Sequence, residues 1–290
     1  DVLAQVVRRL NRQPGLEGFF PELGATVPVT AHGTLGLAFM ACDDLHQVLE
    51  LLVRFAPLAL PGVRVELLKE GTDAVVRVHT SSRYPEFSKA LVQGVLAHIV
   101  VRSGTLAGRP IVPRAVTLVQ RESAGAGELQ RWVRAPVTFE AEQDAVIFRG
   151  RDLDAKLPTA DPVNLRLLRA QCEKELAEVQ ARTGLADRVR EMLALTVSEN
   201  PSIGQVAERL SLSERTLRRR LREEGVSFRE LFKDVRHDLA LHYLRDTDTR
   251  IQTIAHRLGY RDTACFRQAF KEQEGLSPRQ WRRQYDGRAS

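Results

Sequence analysis

A chain that carries the same plan twice can fold only in ways that use the plan twice. The segments "IGQVAERLSLSERTLRRRLREEGVSFREL" (203–231) and "IQTIAHRLGYRDTACFRQAFKEQEGLSPRQW" (251–281) are two copies of one pattern. Ile203, Val206, Ala207, Leu210 and Leu212 match Ile251, Ile254, Ala255, Leu258 and Tyr260 at an offset of 48. Leu217 and Leu221 match Phe266 and Phe270 at 49, and Gly225, Val226 and Ser227 match Gly275, Leu276 and Ser277 at 50. Two copies at so long a period are too few for a solenoid, so this is a duplicated supersecondary unit.

Each copy reads as helix, short turn, helix. Capping boxes are expected at Ser202/Gln205, Thr249/Gln252, Ser227/Glu230 and Ser277/Gln280, the last with Pro278 at the first helical position. Gly259 suits a left-handed turn, and Gly225 and Gly275 suit the left-handed ends of the second helices. Small Ala207 and Ala255 let paired helices approach, while apolar residues at i, i+3, i+4 and i+7 face a common core. That is the helix-turn-helix plan.

The second helix of copy one decides what the plan is for. Leu217 and Leu221 mark its buried face, whereas Arg215, Arg218, Arg219 and Arg222 recur at i, i+3, i+4 and i+7 on the other side. Like charges at i, i+4 repel by a few tenths of a kcal/mol, so a purely solvated helix favours mixed signs. A stripe aimed at phosphates and guanines outweighs that repulsion, because Arg pairs bidentately with guanine. In copy two, Ala264, Arg267, Gln268 and Lys271 form the corresponding stripe opposite Phe266 and Phe270, with Gln suited to adenine.

Between the copies, "FRELFKDVRHDLALHYLRDT" places Leu231, Phe232, Val235, Leu239 and Leu244 at mostly helical spacing. About 18 helical residues span roughly 27 Å, close to the ~34 Å of one turn of B-DNA. One chain could thus enter two successive major grooves. Charge follows the same division. Residues 1–200 hold 24 Lys+Arg against 24 Asp+Glu, whereas residues 201–290 hold 19 against 13, so all of the net +6 lies in the last 90 residues. That asymmetry is the footprint of a nucleic-acid-binding module joined to something else.

The tandem arrangement closely resembles the AraC family of bacterial transcription regulators, whose signature "IQTIAHRLGYRDTACFRQAFKEQEGLSPRQWRR" matches over 251–283 within a resemblance spanning 187–284. The resemblance implies base contacts by Arg215, Arg218 and Arg219, then Thr263, Arg267 and Gln268, with Arg222 and Lys271 completing the DNA-binding set. Ser211 stands where the family commonly has glycine, which predicts a left-handed residue at a cost of about 1 kcal/mol. Cys265 stands where a polar residue is frequent.

The first 160 residues differ in kind. Asp43 or Asp44 is expected to cap a helix through Leu45, Val48, Leu49 and Leu52. Residues 63–80 alternate around a Lys-Glu-Gly-Thr-Asp turn as a hairpin, 115–120 and 145–150 read as strands, and "EFSKALVQGVLAHIVVRSG" reads as a helix. The fold class expected is therefore an α+β N-terminal sensing domain (1–160), then an all-α DNA-binding domain (186–290) with two helix-turn-helix units joined by a long helix. "HGTLGLAFMACDDLHQVLELL" and "APVTFEAEQDAVIFRGRDLDAKLP" resemble the arabinose-binding-type sensing domain of one AraC subgroup. That label implies a small-molecule effector, not a sugar. Between the domains, a connector over 161–185 begins at Asp161-Pro162, ends at Gly184, and carries the seam Leu165, Leu168, Cys172, Leu176 and Val179. The seam either pairs across a homodimer or packs on its own sensing domain.

With 43% hydrophobic and 28% charged residues, 290 residues make a globular chain with room for two cores. No apolar run reaches the ~18–20 residues of a membrane span, and "DVLAQVVRRL" lacks signal-peptide features, so a cytoplasmic protein without membrane contact is expected. A start at Asp1 rather than methionine leads us to expect a further N-terminal segment. Cys42, Cys172 and Cys265 are expected to be reduced and buried, and no spacing suggests a metal or cofactor site. His32, His46, His79, His98, His237 and His242 are expected to be structural or surface residues. Catalytic motifs are absent from the sequence. Two alternatives compete with a regulator: a ligand-independent DNA architectural protein, and a DNA-repair alkyl transferase using Cys42 or Cys172. The resemblance favours a transcription activator acting on double-stranded promoter DNA and RNA polymerase.

Overall fold

A computed structural model describes residues 19–60, 62–80, 88–122, 126–182 and 184–286, and these divide into two compact units between residues 180 and 181. The first unit is α+β. Helices α1 (Phe19–Thr26), α2 (Thr34–Met40) and α3 (Leu45–Ala59) lead into strands β1 (Val63–Glu70) and β2 (Asp73–Thr80). Helix α4 (Ser88–Leu106), β3 (Ala115–Thr117), α5 (Ala126–Val133), β4 (Val137–Thr138), β5 (Ala145–Arg149) and the short α6 (Gly150–Leu153) follow, and α7 (Pro162–Arg182) ends the unit.

The sheet order is β1-β2-β5-β3-β4, antiparallel except for the parallel β3–β4 pair. The expected hairpin forms in register from Val63 opposite Thr80 to Glu70 opposite Asp73, and Gly71 takes φ 62 in the turn. Strand β2 lies between β1 and β5, and buries Val75, Val76 and Val78. The strand expected over 115–120 stops at Thr117, because the Asp144 carboxylate accepts the Val119 N–H at 2.8 Å where a ladder carbonyl would otherwise stand. Of the two candidate caps for α3, Asp44 accepts the Gln47 N–H, while the Asp43 carboxylate accepts from the Gln47 side-chain amide.

The connector helix α7 belongs to this unit. Asp161 caps it by accepting from Val163 N and Asn164 N. Leu165, Leu168, Cys172 and Leu176 of the predicted seam pack into the first unit's own core. Glu173 binds Arg54 in a fork at 3.2 and 3.1 Å, and Thr34 donates to Glu175 at 2.7 Å. Helix α7 ends at Arg182, two residues before the expected end at Gly184. With φ −56 Gly184 begins the next helix instead.

The second unit is all helical: α8 (Leu185–Thr196), α9 (Ile203–Arg209), α10 (Glu214–Glu223), α11 (Phe228–Asp246), α12 (Ile251–Arg257), α13 (Thr263–Glu274) and α14 (Pro278–Asp286). It has two cores that share α11. Leu231 and Val235 pack with Val189, Leu193, Val206, Leu217 and Leu221, whereas Ala240 and Leu244 pack with Val197, Ile254, Leu258, Phe266 and Phe270. Phe232 and Leu239 touch both cores. Each copy of the repeat thus completes its own core against one half of the linker helix.

Caps form at Ser202, Ser227 and Ser277 as their spacing predicts. The box at Thr249/Gln252 does not form. Thr247 Oγ1 donates to the Tyr243 carbonyl and accepts the Thr249 N–H, which closes the end of α11 and leaves Arg250, without a side-chain cap, before Ile251. Ser211 takes φ 56 as expected, in the place Gly259 occupies in copy two with φ 67. Cys42 and Cys172 are buried, but Cys265 is only half-buried, because it lies in the first turn of α13 rather than on the face of Phe266 and Phe270. Burial raises the Cys42 thiol to about 12 and the Cys172 thiol to about 11.

Candidate nucleic-acid interface

The two second helices are built alike at their first turns. Ser213 accepts the Thr216 N–H to cap α10, and Asp262 accepts the Cys265 N–H at 2.7 Å to cap α13. Neither cap was among those the spacing singled out, although both are short polar residues placed before a helix, as caps should be. Each helix is held by two apolar residues four apart, Leu217 with Leu221 and Phe266 with Phe270, all nearly inaccessible to water. A helix pinned on one face turns its other face outward.

On that outward face of α10 lie Arg215, Arg218, Arg219 and Arg222, all exposed. Together with Glu214 and Glu223 they line one shallow open depression. The stripe is less one-signed than the arginines alone suggest. Arg218 binds Glu214 through Nε and Nη2 at 2.9 and 2.7 Å, and Arg219 Nη1 binds Glu223. Exposed pairs of this kind are worth about 0–1 kcal/mol, so a phosphate or a guanine edge can displace the carboxylates. Both pairs are i, i+4 and were legible in the spacing.

On α13, Ala264, Arg267, Gln268 and Lys271 are exposed, and Thr263 is half-buried at the start of the helix. Gln268 donates to Glu272 at 3.1 Å. Gln268 and Glu272 stand 49 residues after Arg219 and Glu223, so the duplication extends to this surface pair. The eight candidate residues therefore form two separate sets, one per copy.

A carboxylate anchors the far end of α10. Glu224, just after the helix, accepts Leu185 N and Ala186 N at 2.8 Å each, one on either oxygen, and so caps α8. A Cβ on Gly184 would meet Glu224 Oε2 at 3.2 Å, a tight contact beside the two capping bonds. Helix α11 is tied to copy two through His237, whose Nε2 lies 2.8 Å from Glu274 Oε1, while Trp281 Nε1 donates to Glu274 Oε2 at 3.0 Å. Contacts across 37 to 39 residues leave no periodic trace in a sequence.

In the first unit, His32 and His98 form a pair that the sequence did not reveal. Their Nε2 atoms lie 2.9 Å apart, and His98 Nδ1 lies 2.8 Å from the Gly24 carbonyl oxygen. A carbonyl only accepts, so His98 carries its proton on Nδ1 and the His32 Nε2–H donates to it. Burial, then the Gly24 bond against it, leaves His98 well below the usual histidine value, at about 4. Burial and Arg102 lower His32. Among the described residues no group of three or more His, Cys, Asp or Glu is arranged to hold a metal ion, and no helix is long and apolar enough to cross a membrane.

Comparison with known proteins bears on both units. Residues 1–157 match the family model described as the arabinose-binding domain of AraC transcription regulator, N-terminal, and residues 206–284 match a helix-turn-helix domain model. An uncharacterized HTH-type transcriptional regulator of Mycobacterium tuberculosis is 30% identical over 288 residues, covering 98% of this chain and 83% of that one. The ornithine utilization regulator of Pseudomonas aeruginosa is 28% identical over 260 residues, 90% of this chain and 77% of its own. The urease operon transcriptional activator of Escherichia coli is 42% identical over 82 residues, 28% of each chain.

Proposed function

The chain belongs to the AraC family of transcription regulators, DNA-binding proteins with an N-terminal ligand-binding domain, and on that premise we propose that it is a sequence-specific activator whose α10 and α13 enter successive major grooves. Arg215, Arg218 and Arg219 read base edges of one half-site, and Thr263, Arg267 and Gln268 read the other. Arg222 and Lys271 bind phosphate. The observation that carries this reading is the arginine face of α10, exposed directly opposite buried Leu217 and Leu221. The 19 residues of α11 span about 28 Å at 1.5 Å per residue, on the scale of the ~34 Å helical turn that separates two grooves on one side of a duplex.

Activation, through contact with RNA polymerase, is favoured by the likeness of the DNA-binding part to a urease operon activator. The first unit takes a small-molecule effector and passes its state to the second in the bacterial cytoplasm, where promoter DNA lies. A homodimer is favoured by the outer face of α7, which leaves Val163 and Leu167 61% and 66% exposed while its predicted seam is used internally. Selection of bound sites from random duplexes by the full chain, followed by genomic footprinting, tests the reading. A bipartite consensus is expected. Recovery of sequences with no common element would overturn it.

A further inference from the structure

Arg236 sits at the middle of α11, where three separate stretches of the second unit meet. Its Nε donates to the Leu258 carbonyl at 2.9 Å, and its Nη2 donates to the Gly259 carbonyl and to Asn200 Oδ1, each at 2.8 Å. The guanidinium carbon lies 4.1 Å from the Phe232 ring centre and 4.6 Å from that of Tyr260. One side chain thus grips the turn of the second helix-turn-helix and Asn200, which ends the short 3-10 turn Val197–Glu199 after α8. Backbone geometry converges on the same point. Gly259 is left-handed, a Cβ there would come within 2.3 Å of the Val197 carbonyl oxygen, and Asn200 is left-handed with φ 51.

The choice of arginine is informative because these partners are neutral. A half-buried cation held by two carbonyls, an amide oxygen and two ring faces gains direction more than charge neutralisation. The apolar core shared by Ala240, Leu244, Phe266 and Phe270 holds copy two to α11, but apolar contact is non-directional and permits small rotations. Forked hydrogen bonds do not, since they weaken steeply away from linear geometry.

We propose that Arg236 is a positioning residue that sets the angle of the second reading helix relative to the first, and so the spacing between half-sites that one chain accepts. The inference rests on the reading that both copies contact DNA. One added base pair turns the second half-site by about 34° and moves it by about 3.4 Å. A locked unit cannot follow that change, whereas a loosened one can.

The test uses the full chain and its selected site, with one or two base pairs inserted or removed between the two halves. For the native protein, each single insertion is expected to weaken binding at least about tenfold. Arg236→Gln is expected to bind the selected site within about tenfold of native, yet to lose less than about threefold on insertion. Arg236→Lys, which keeps the charge over the rings but not the fork, is expected to fall between. Asn200→Gly keeps the left-handed backbone and removes one acceptor, and it decides the matter if Arg236→Gln does not fold by near-UV circular dichroism. A flattened Asn200→Gly profile supports the proposal, and an unchanged one overturns it. A folded Arg236→Gln with the native spacing profile overturns the role of Arg236 alone. A native protein indifferent to spacing overturns the tandem reading and this inference together.

Discussion

Arg219 and Arg222 are three residues apart on α10, and on the proposed reading they have different tasks. Arg219 lies about 200° around the helix from Leu217, so it points to the groove floor, while Arg222, one turn on, diverges toward the backbone. Arg219→Ala is expected to lower cognate affinity by ~1–3 kcal/mol and to relax preference at one or two base positions. Arg222→Ala should weaken cognate and random DNA alike and reduce the salt slope by about one. Competition binding on a site library at several salt concentrations separates the two. Equal loss on all sequences in Arg219→Ala would reduce the stripe to an electrostatic surface. Glu223 adds a check from the opposite direction. It holds Arg219 in free protein, so Glu223→Gln should tighten binding to random DNA several-fold in the same assay.

The turns and helix ends carry predictions of stability. Ser211 sits at φ 56, so Ser211→Gly should raise the unfolding free energy of the second unit by about 1 kcal/mol in denaturant titration. Glu224 caps α8 with two bonds, and its loss in Glu224→Ala should cost about 0.5–2 kcal/mol in the same titration. Helix α4 carries His98 against His32 and Gly24. Because the folded value of His98 lies near 4 and the ordinary value is 6.5, its stabilisation is full above pH 6.5 and is lost as pH falls toward 4. Unfolding of the first unit, followed by tryptophan fluorescence, should lose up to about 3 kcal/mol over that window. His98→Gln should flatten the slope, and an unchanged slope would show that the pair does not titrate on unfolding.

At the scale of the whole chain, charge is partitioned. The first 200 residues are balanced, and the excess positive charge lies in the last 90, which carry α10 and α13. Binding should therefore weaken steeply with salt by counterion release, and a fragment of residues 185–290, which holds both helical cores, should retain that dependence without the sensing domain. Filter binding of the fragment and the full chain from 50 to 200 mM salt measures it, and flat curves would remove the electrostatic argument. The proposed dimer is tested separately, on the first unit. Leu167→Glu on the exposed face of α7 should shift sedimentation toward monomer if a second copy covers that face, and the native chain sedimenting only as monomer at tens of micromolar would exclude the dimer.

The sequence by itself determined whatever is periodic or short-range. The duplication, the helix faces set by Leu217 and Phe266, the hairpin over 63–80, the caps at Ser202 and Ser227 and the left-handed Ser211 all follow from spacing or from local backbone chemistry. Where two local solutions competed, structure chose. Thr247 closed α11 and displaced the box at Thr249, and the Asp144 carboxylate cut β3 short. The seam of α7 satisfied two partners equally well on paper, and the first unit's own core took it. What only the tertiary structure decided are meetings between residues tens of positions apart: His32 with His98, Glu224 with the start of α8, and Arg236 with Asn200 and the turn at Gly259. A hydrogen bond acts over about 3 Å of space and leaves no periodic mark along the chain, so only the packed helices bring its two ends together.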